Sequence, residues 1–187
     1  MATIINATTT GLTVTPDATG QLTLSANGVT ALTANTTGYL NFAKQPQING
    51  GEWPAFGAYA NTTQSISSST FTKVLFANER FDTNNNFASS TFTPTVAGYY
   101  QLNTSVYYGS SPAGQAILFI YKNGSAYVEI GRTIAAGQAT LSGGVVAYAN
   151  GTSDYFDVYF YSVGSNTLSN GTDAYYVNFS GVLVRGT

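Results

Sequence analysis

The stretch Tyr155-Phe156-Asp157-Val158-Tyr159-Phe160-Tyr161 carries a large apolar side chain at six of its seven positions. Seven more stretches are similarly rich in aromatic and β-branched residues: Ala55 to Tyr59, Phe71 to Phe76, Gly98 to Tyr107, Ala116 to Tyr121, Ala126 to Arg132, Gln138 to Ala147 and Tyr175 to Val184. Such residues favour a pleated, half-buried backbone, and no segment shows a convincing helical spacing. Asn123-Gly124 suits a tight two-residue hairpin, because both of its central positions need positive φ. Asn150-Gly151 and Asn170-Gly171 mark further turns. An all-β, two-sheet sandwich follows, with a jelly roll as one common way to close it.

The surface of such a sandwich has to be solvated with almost no charge. Six lysines and arginines face eight aspartates and glutamates in 187 residues, while Ser, Thr and Asn number sixty. Without a run of basic residues, the chain has no means of neutralising a phosphate backbone or holding an anionic membrane. No apolar run approaches the ~20 residues of a membrane helix, and Met1 to Asn6 lacks the features of a secretory leader. Synthesis and assembly in a cytoplasm are expected, and the absence of cysteine agrees with a reducing compartment. Asn-x-Ser/Thr sequons recur, but so much Ser and Thr produces them by chance, and glycosylation is not expected.

Residues 1–51 read as a separate segment. Short strand-like pieces, Gly11 to Thr15, Gly20 to Leu24, Gly28 to Leu32 and Gly38 to Phe42, recur with glycines between them. So few apolar side chains cannot close a core alone, and short strands leave unpaired edges. The expectation is a β-rich fibrous stem that pairs with copies of itself or with another protein. Pro46 and Gly50-Gly51 mark the boundary, and a head of residues 52–187 follows.

Within the head, Phe76, Asp82, Phe87, Phe92, Gly98 and Tyr100 come in the spacing Phe-x5-Asp-x4-Phe-x4-Phe-x5-Gly-x-Tyr. Asn123-Gly124 and Phe179-Ser180-Gly181-Val182-Leu183 follow. Together these resemble the pattern of the complement C1q-like globular head, a relative of the tumour-necrosis-factor (TNF) fold. The chain departs from the pattern in two places: the interval between Phe87 and Phe92 is two residues shorter than usual, and Leu102 stands where Phe is usual. The resemblance implies a C1q/TNF-like jelly roll that assembles as a homotrimer and works by binding. It also implies that calcium is a conceivable ligand, since some trimers of that family hold it at their apex. No Gly-x-y stalk is present, and the Thr/Asn/Gly-rich first 51 residues are similar in style to attachment segments of bacteriophage virion proteins.

Catalysis has little to work with, because the chain has no histidine and no cysteine. Asp154 and Asp157 are close in sequence, but positions three apart on a strand point to opposite faces. A polar turn entering a strand explains Asp154 without chemistry. Asp82, Asp154, Asp157 and Asp173 are the weak candidates for calcium, and no EF-hand spacing supports them. No cofactor and no catalytic residue is assigned.

Where both faces of a strand are apolar, as at residues 155–161 and 175–179, both are expected to be covered, one by the core and one by a neighbouring subunit. The sequence therefore leads to a non-enzymatic homotrimeric virion structural protein, a capsid decoration or a head or tail fibre. Residues 1–51 would contact other virion proteins, and the outward head would bind a host-surface glycan or protein. A cytokine-like or lectin-like module of a cell surface or secretion is the alternative.

Overall fold

The computed structural model describes residues 22–26, 29–34, 40–42, 53–109, 114–134, 137–168 and 176–187. The chain divides into two units, Met1–Gln47 and Ile48–Thr187. In the first, strands β1 (Leu22–Ala26), β2 (Val29–Ala34) and β3 (Leu40–Phe42) form an antiparallel sheet with β2 in the middle. These match three of the four expected pieces to within two residues at each end, and the fourth, Gly11 to Thr15, lies outside the described residues. Among the described residues β2 pairs with β1 on one side and with β3 on the other.

Among the described residues the second unit has thirteen strands. They are β4 (Ala55–Tyr59), β5 (Gln64–Ile66), β6 (Thr72–Lys73), β7 (Asn78–Asp82), β8 (Phe87–Ala88), β9 (Thr91–Phe92), β10 (Gly98–Tyr108), β11 (Ala116–Lys122), β12 (Ser125–Thr133), β13 (Ala139–Ala149), β14 (Phe156–Ser162), β15 (Asn166–Leu168) and β16 (Asn178–Gly186). In the first sheet, β10 pairs with β13 along one side and with β16 and β15 along the other. Then β4 pairs with β16, β5 with β15, and β7 with β4. The second sheet runs β12-β11-β14-β9-β8, with β6 also against β14. Every pairing is antiparallel.

Alternation along β10 shows how the sequence makes this sandwich. Tyr100, Leu102, Val106 and Tyr108 are fully buried, while Tyr99, Gln101, Asn103, Ser105 and Tyr107 lie on the outward face. From the second sheet, Ala116, Leu118 and Ile120 of β11 meet them together with Phe156, Val158 and Phe160 of β14. Each large side chain removed from water in this way contributes roughly 1.5–3 kcal/mol before conformational entropy is counted.

Most expected strands appear with their ends moved by one or two residues. The exceptions are instructive. Phe71 to Phe76 forms only the two-residue β6: the Val74 N–H still bonds the Val158 carbonyl at 2.8 Å, but the Phe76 N–H turns to the Ser90 hydroxyl instead of β14. Inside the expected loop Asp82 to Ser90, the short Phe87–Phe92 interval proves to be a hairpin. Phe87 pairs with Phe92, and Ser89 and Ser90 form the turn at φ of 50° and 61°. Serine does not advertise positive φ as Asn-Gly does. At Asn123 and Gly124, with φ of 53° and 77°, the expected hairpin is present.

Candidate binding surface of the head

The aromatic residues of the sequence pattern converge on a ring that the pattern omits. Phe56, on β4, stacks against Phe92 at 4.3 Å and Phe87 at 4.9 Å, and meets the edge of Phe179 at 5.0 Å. Phe76 packs on Phe179, and Phe92 on Tyr100. Tyr100 is buried with its hydroxyl donating to the Val96 carbonyl at 2.7 Å, and burial pushes its phenol up to about 12. Asp82 has a local task. Its carboxylate accepts the Asn84 and Phe87 N–H groups at 3.2 and 2.7 Å, and so folds the chain back to deliver Phe87 to the cluster. Gly98 and Gly181 are needed for close approach: a Cβ on the first would strike the Leu183 side chain at 2.7 Å, and one on the second the Phe56 ring at 2.6 Å.

Three of the four acids considered as metal ligands, Asp82, Asp154 and Asp157, have partners in their own surroundings. Asp154 accepts the Asn123 side-chain amide at 2.8 Å and the Asn150 N–H at 2.9 Å, and pairs with Lys122 at 2.9 Å. The Asn123 amide in first place, with Lys122 and the Asn150 N–H, holds its carboxyl below the usual range against the opposing effect of burial. Asp157 pairs with Lys73 at 2.8 Å and accepts the Thr91 hydroxyl at 2.7 Å. Asp82 serves its loop, and Asp173 lies outside the described residues. Calcium needs about six to eight oxygens converging on one point. Among the described residues no three His, Cys, Asp or Glu side chains gather within this chain, and Asp82, Asp154 and Asp157 lie apart in their separate hydrogen-bond networks.

What the head does offer is two broad outward faces of unlike chemistry. On the first sheet, β13, β10, β16 and β4 contain a single charged residue, Arg185. Tyr99 lies against Tyr148 with ring centroids 5.5 Å apart, and Val146, Val182 and Val184 are half exposed. Next to them the Phe81 ring, half exposed on β7, lies over Gly57, and shallow hollows floored by Gly57, Ser180 and Gly181 open on either side of it. Apolar and neutral polar groups thus form a continuous field across β13, β10, β16 and β4, with Arg80 of β7 lining one of the hollows at its margin.

On the second sheet, the outward positions of β11 and β14 bring Phe119, Tyr121, Tyr159 and Tyr161 side by side, with Tyr121 stacked on Tyr159 at 4.0 Å. Phe71, 42% exposed, sits against Phe119 and Tyr161 at 5.6 and 4.8 Å. The doubly apolar 155–161 stretch therefore supplies core and outward face of the second sheet. Val182 and Val184 in β16 do the corresponding work in the first, where only Tyr176 to Phe179 of the expected 175–179 stretch can be described.

This strand order has close counterparts among solved structures. The globular domain of zebrafish complement 1qA superposes with a TM-score of 0.53 over 73% of this chain and the whole of that domain, at 18% identity. Murine APRIL gives 0.53 over 71% of this chain and all of its own length at 13% identity. Eiger TNF from S. frugiperda gives 0.52 over 72% of this chain and 94% of its own at 9% identity. The head has the C1q/TNF fold. No family model and no curated protein matches the sequence, so the likeness lies in the fold alone. In this C1q-like head the aromatic cluster around Phe56 is the structural content of the sequence pattern. The two outward faces are where it differs in chemistry from one side to the other.

Proposed function

We propose that the chain is a non-enzymatic, homotrimeric virion structural protein of the bacteriophage type, serving as a capsid decoration or fibre. Residues 1–51 anchor it to other virion proteins, and the C1q-like head faces outward to bind a host-surface ligand. The observation that carries the trimer is the first sheet's outward face. Its central strands are almost free of charge, yet Tyr99, Tyr148, Val146, Val182 and Val184 stand in water there. Depletion of charge with retention of tyrosine and aliphatic groups is the composition of an interface core. Exposed patches of that kind in soluble proteins mark contact sites, and closed cyclic symmetry covers one on every copy.

The virion context is supported by the Thr/Asn/Gly-rich β-stranded first unit, the absence of cysteine and the near absence of charge. Two measurements on gradient-purified particles test it. Quantitative mass spectrometry should find the chain in copy numbers divisible by three. A chain starting at Glu52 should fold and trimerise but fail to join particles that the full chain joins. Absence from the particles, or efficient incorporation of the shortened chain, would overturn the reading.

A second reading, a cytokine-like or lectin-like binding module of a cell surface or secretion, is favoured by the likeness to complement 1qA, APRIL and Eiger TNF heads. It shares the trimer and the absence of catalysis, and differs in the first unit, which would then have no virion partner.

A further inference from the structure

The outward face of the second sheet remains after the first has been given to self-association. We infer that it is a stacking platform for a neutral oligosaccharide, formed by Phe71, Phe119, Tyr121, Tyr159 and Tyr161. This deepens the proposed function by naming the class of ligand, and rests on it in taking the first sheet as the covered face. Three features of the face lead to a sugar.

The centre of the platform is aromatic, and its exposed aliphatic side chains, Leu75 just past β6 and Val163 just past β14, stand at the margins. Among the described strand residues on this face, Ile117 is the one branched aliphatic side chain, and it is buried. The first sheet, by contrast, exposes three valines. Aromatic faces attract the weakly polarised C–H groups of a pyranose ring as they attract other positive edges, whereas valine offers only burial.

The face is also electrically closed. Lys73 pairs with Asp157, Glu129 with Arg132, and Lys122 with Asp154, which accounts for every charged side chain on β6, β11, β12 and β14 and for the Asp154 turn. Three cations and three anions cancel. A site for an acidic glycan, a phosphate or a charged peptide would leave a charge available to its ligand, as the complementarity of charged partners requires. Among the described residues every charge on this face has a partner of opposite sign, which matches an uncharged ligand.

Hydroxyls, finally, ring the platform. Tyr121, Tyr159 and Tyr161 carry theirs at the edges of the rings, while the Thr91 hydroxyl is taken up between Lys73 and Asp157. Stacking surface bordered by neutral donors and acceptors suits a molecule whose faces are apolar and whose rim is hydroxylated. The rings cost little entropy to hold, with two side-chain torsions each and neighbours already packed on them.

Calorimetric titration of the full chain with cellohexaose, maltohexaose and a hexamer of β-1,4-linked N-acetylglucosamine, with oligogalacturonate as the acidic control, tests this. At least one neutral hexamer should bind at about 1 mM or below, more tightly than oligogalacturonate. Phe71→Ala should weaken that binding about tenfold or more, and Ile134→Ala, on the connection after β12, should leave it unchanged. Tyr161→Phe, which keeps the stacking surface, should retain most of the affinity that Tyr161→Ala loses. Heat release unaltered by Phe71→Ala in a chain that melts as the parent does would overturn the platform. So would preference for oligogalacturonate, or no binding of any neutral hexamer by an intact trimer. Binding through Phe71 by a chain that sediments as a monomer would support the platform while contradicting the trimer.

Discussion

The ring of Phe56 fills the space that a Cβ on Gly181 would need, with its Cε1 only 2.6 Å from that position. Gly181 lies in β16 opposite Phe56 in the ladder, so the close approach links the end of the sequence pattern to the centre of the aromatic cluster. Gly181→Ala should overpack this contact and destabilise the head by about 1–3 kcal/mol in denaturant unfolding. Combined with Phe56→Leu, which makes room, the effect should be less than the sum of the two single changes. An unaltered midpoint in Gly181→Ala would show that the approach is not tight.

Tyr100 should behave as a core residue with a polar tip. Tyr100→Ala should cost roughly 3–5 kcal/mol, measured as loss of unfolding free energy. Because its phenol is pushed up to about 12, the folded state favours the neutral form. The associated stability is therefore complete below the unfolded value of about 10 and is lost as pH rises through the folded one. Absorbance titration at alkaline pH should lose one late-ionising phenol in Tyr100→Phe.

How much of this was legible beforehand depended on whether a residue's task was local. Asn123-Gly124 announced a hairpin because positive φ has its own residue preferences, and β10 announced its two faces by strict alternation. Phe56 was invisible as the hub of the cluster, since only tertiary packing brings Phe87, Phe92 and Phe179 around it. Asp154 and Asp157 drew notice as neighbouring acids, yet their lysine partners sit on other strands, Lys122 on β11 and Lys73 on β6. The doubly apolar stretches announced strands with two apolar faces without saying which sheet each would join. That assignment arises from the order in which strands pair, and periodicity carries no information about it.

The Ser89-Ser90 hairpin places two serines at positive φ, where most side chains are strained. Ser90 is held by a further bond, its hydroxyl accepting the Phe76 N–H at 2.8 Å. Ser89→Asn should relax the turn, because asparagine tolerates this region well, and should raise stability by about 0.5 kcal/mol. A lower melting temperature would contradict the turn geometry.

Acid should loosen the Asn123 hairpin from the Asn150 turn. Asp154 has its carboxyl lowered chiefly by the Asn123 amide, so its contribution is present above the unfolded value of about 4 and disappears as pH falls through the lower folded one. Asp154→Asn should flatten the loss of stability as pH falls below about 4, relative to the parent chain. Equal acid slopes in the two proteins would show that this carboxylate is not held by its neighbours.

Self-association through the first sheet is the claim on which the rest depends, and native mass spectrometry of the full chain at micromolar concentration tests it most directly. The parent should appear as a trimer, and Val182→Lys, which places a charge in the middle of the uncharged face without touching the core, should shift it to monomer while its circular dichroism is unchanged. A parent that is monomeric at that concentration, or a Val182→Lys chain that remains trimeric, would contradict the assignment of that face.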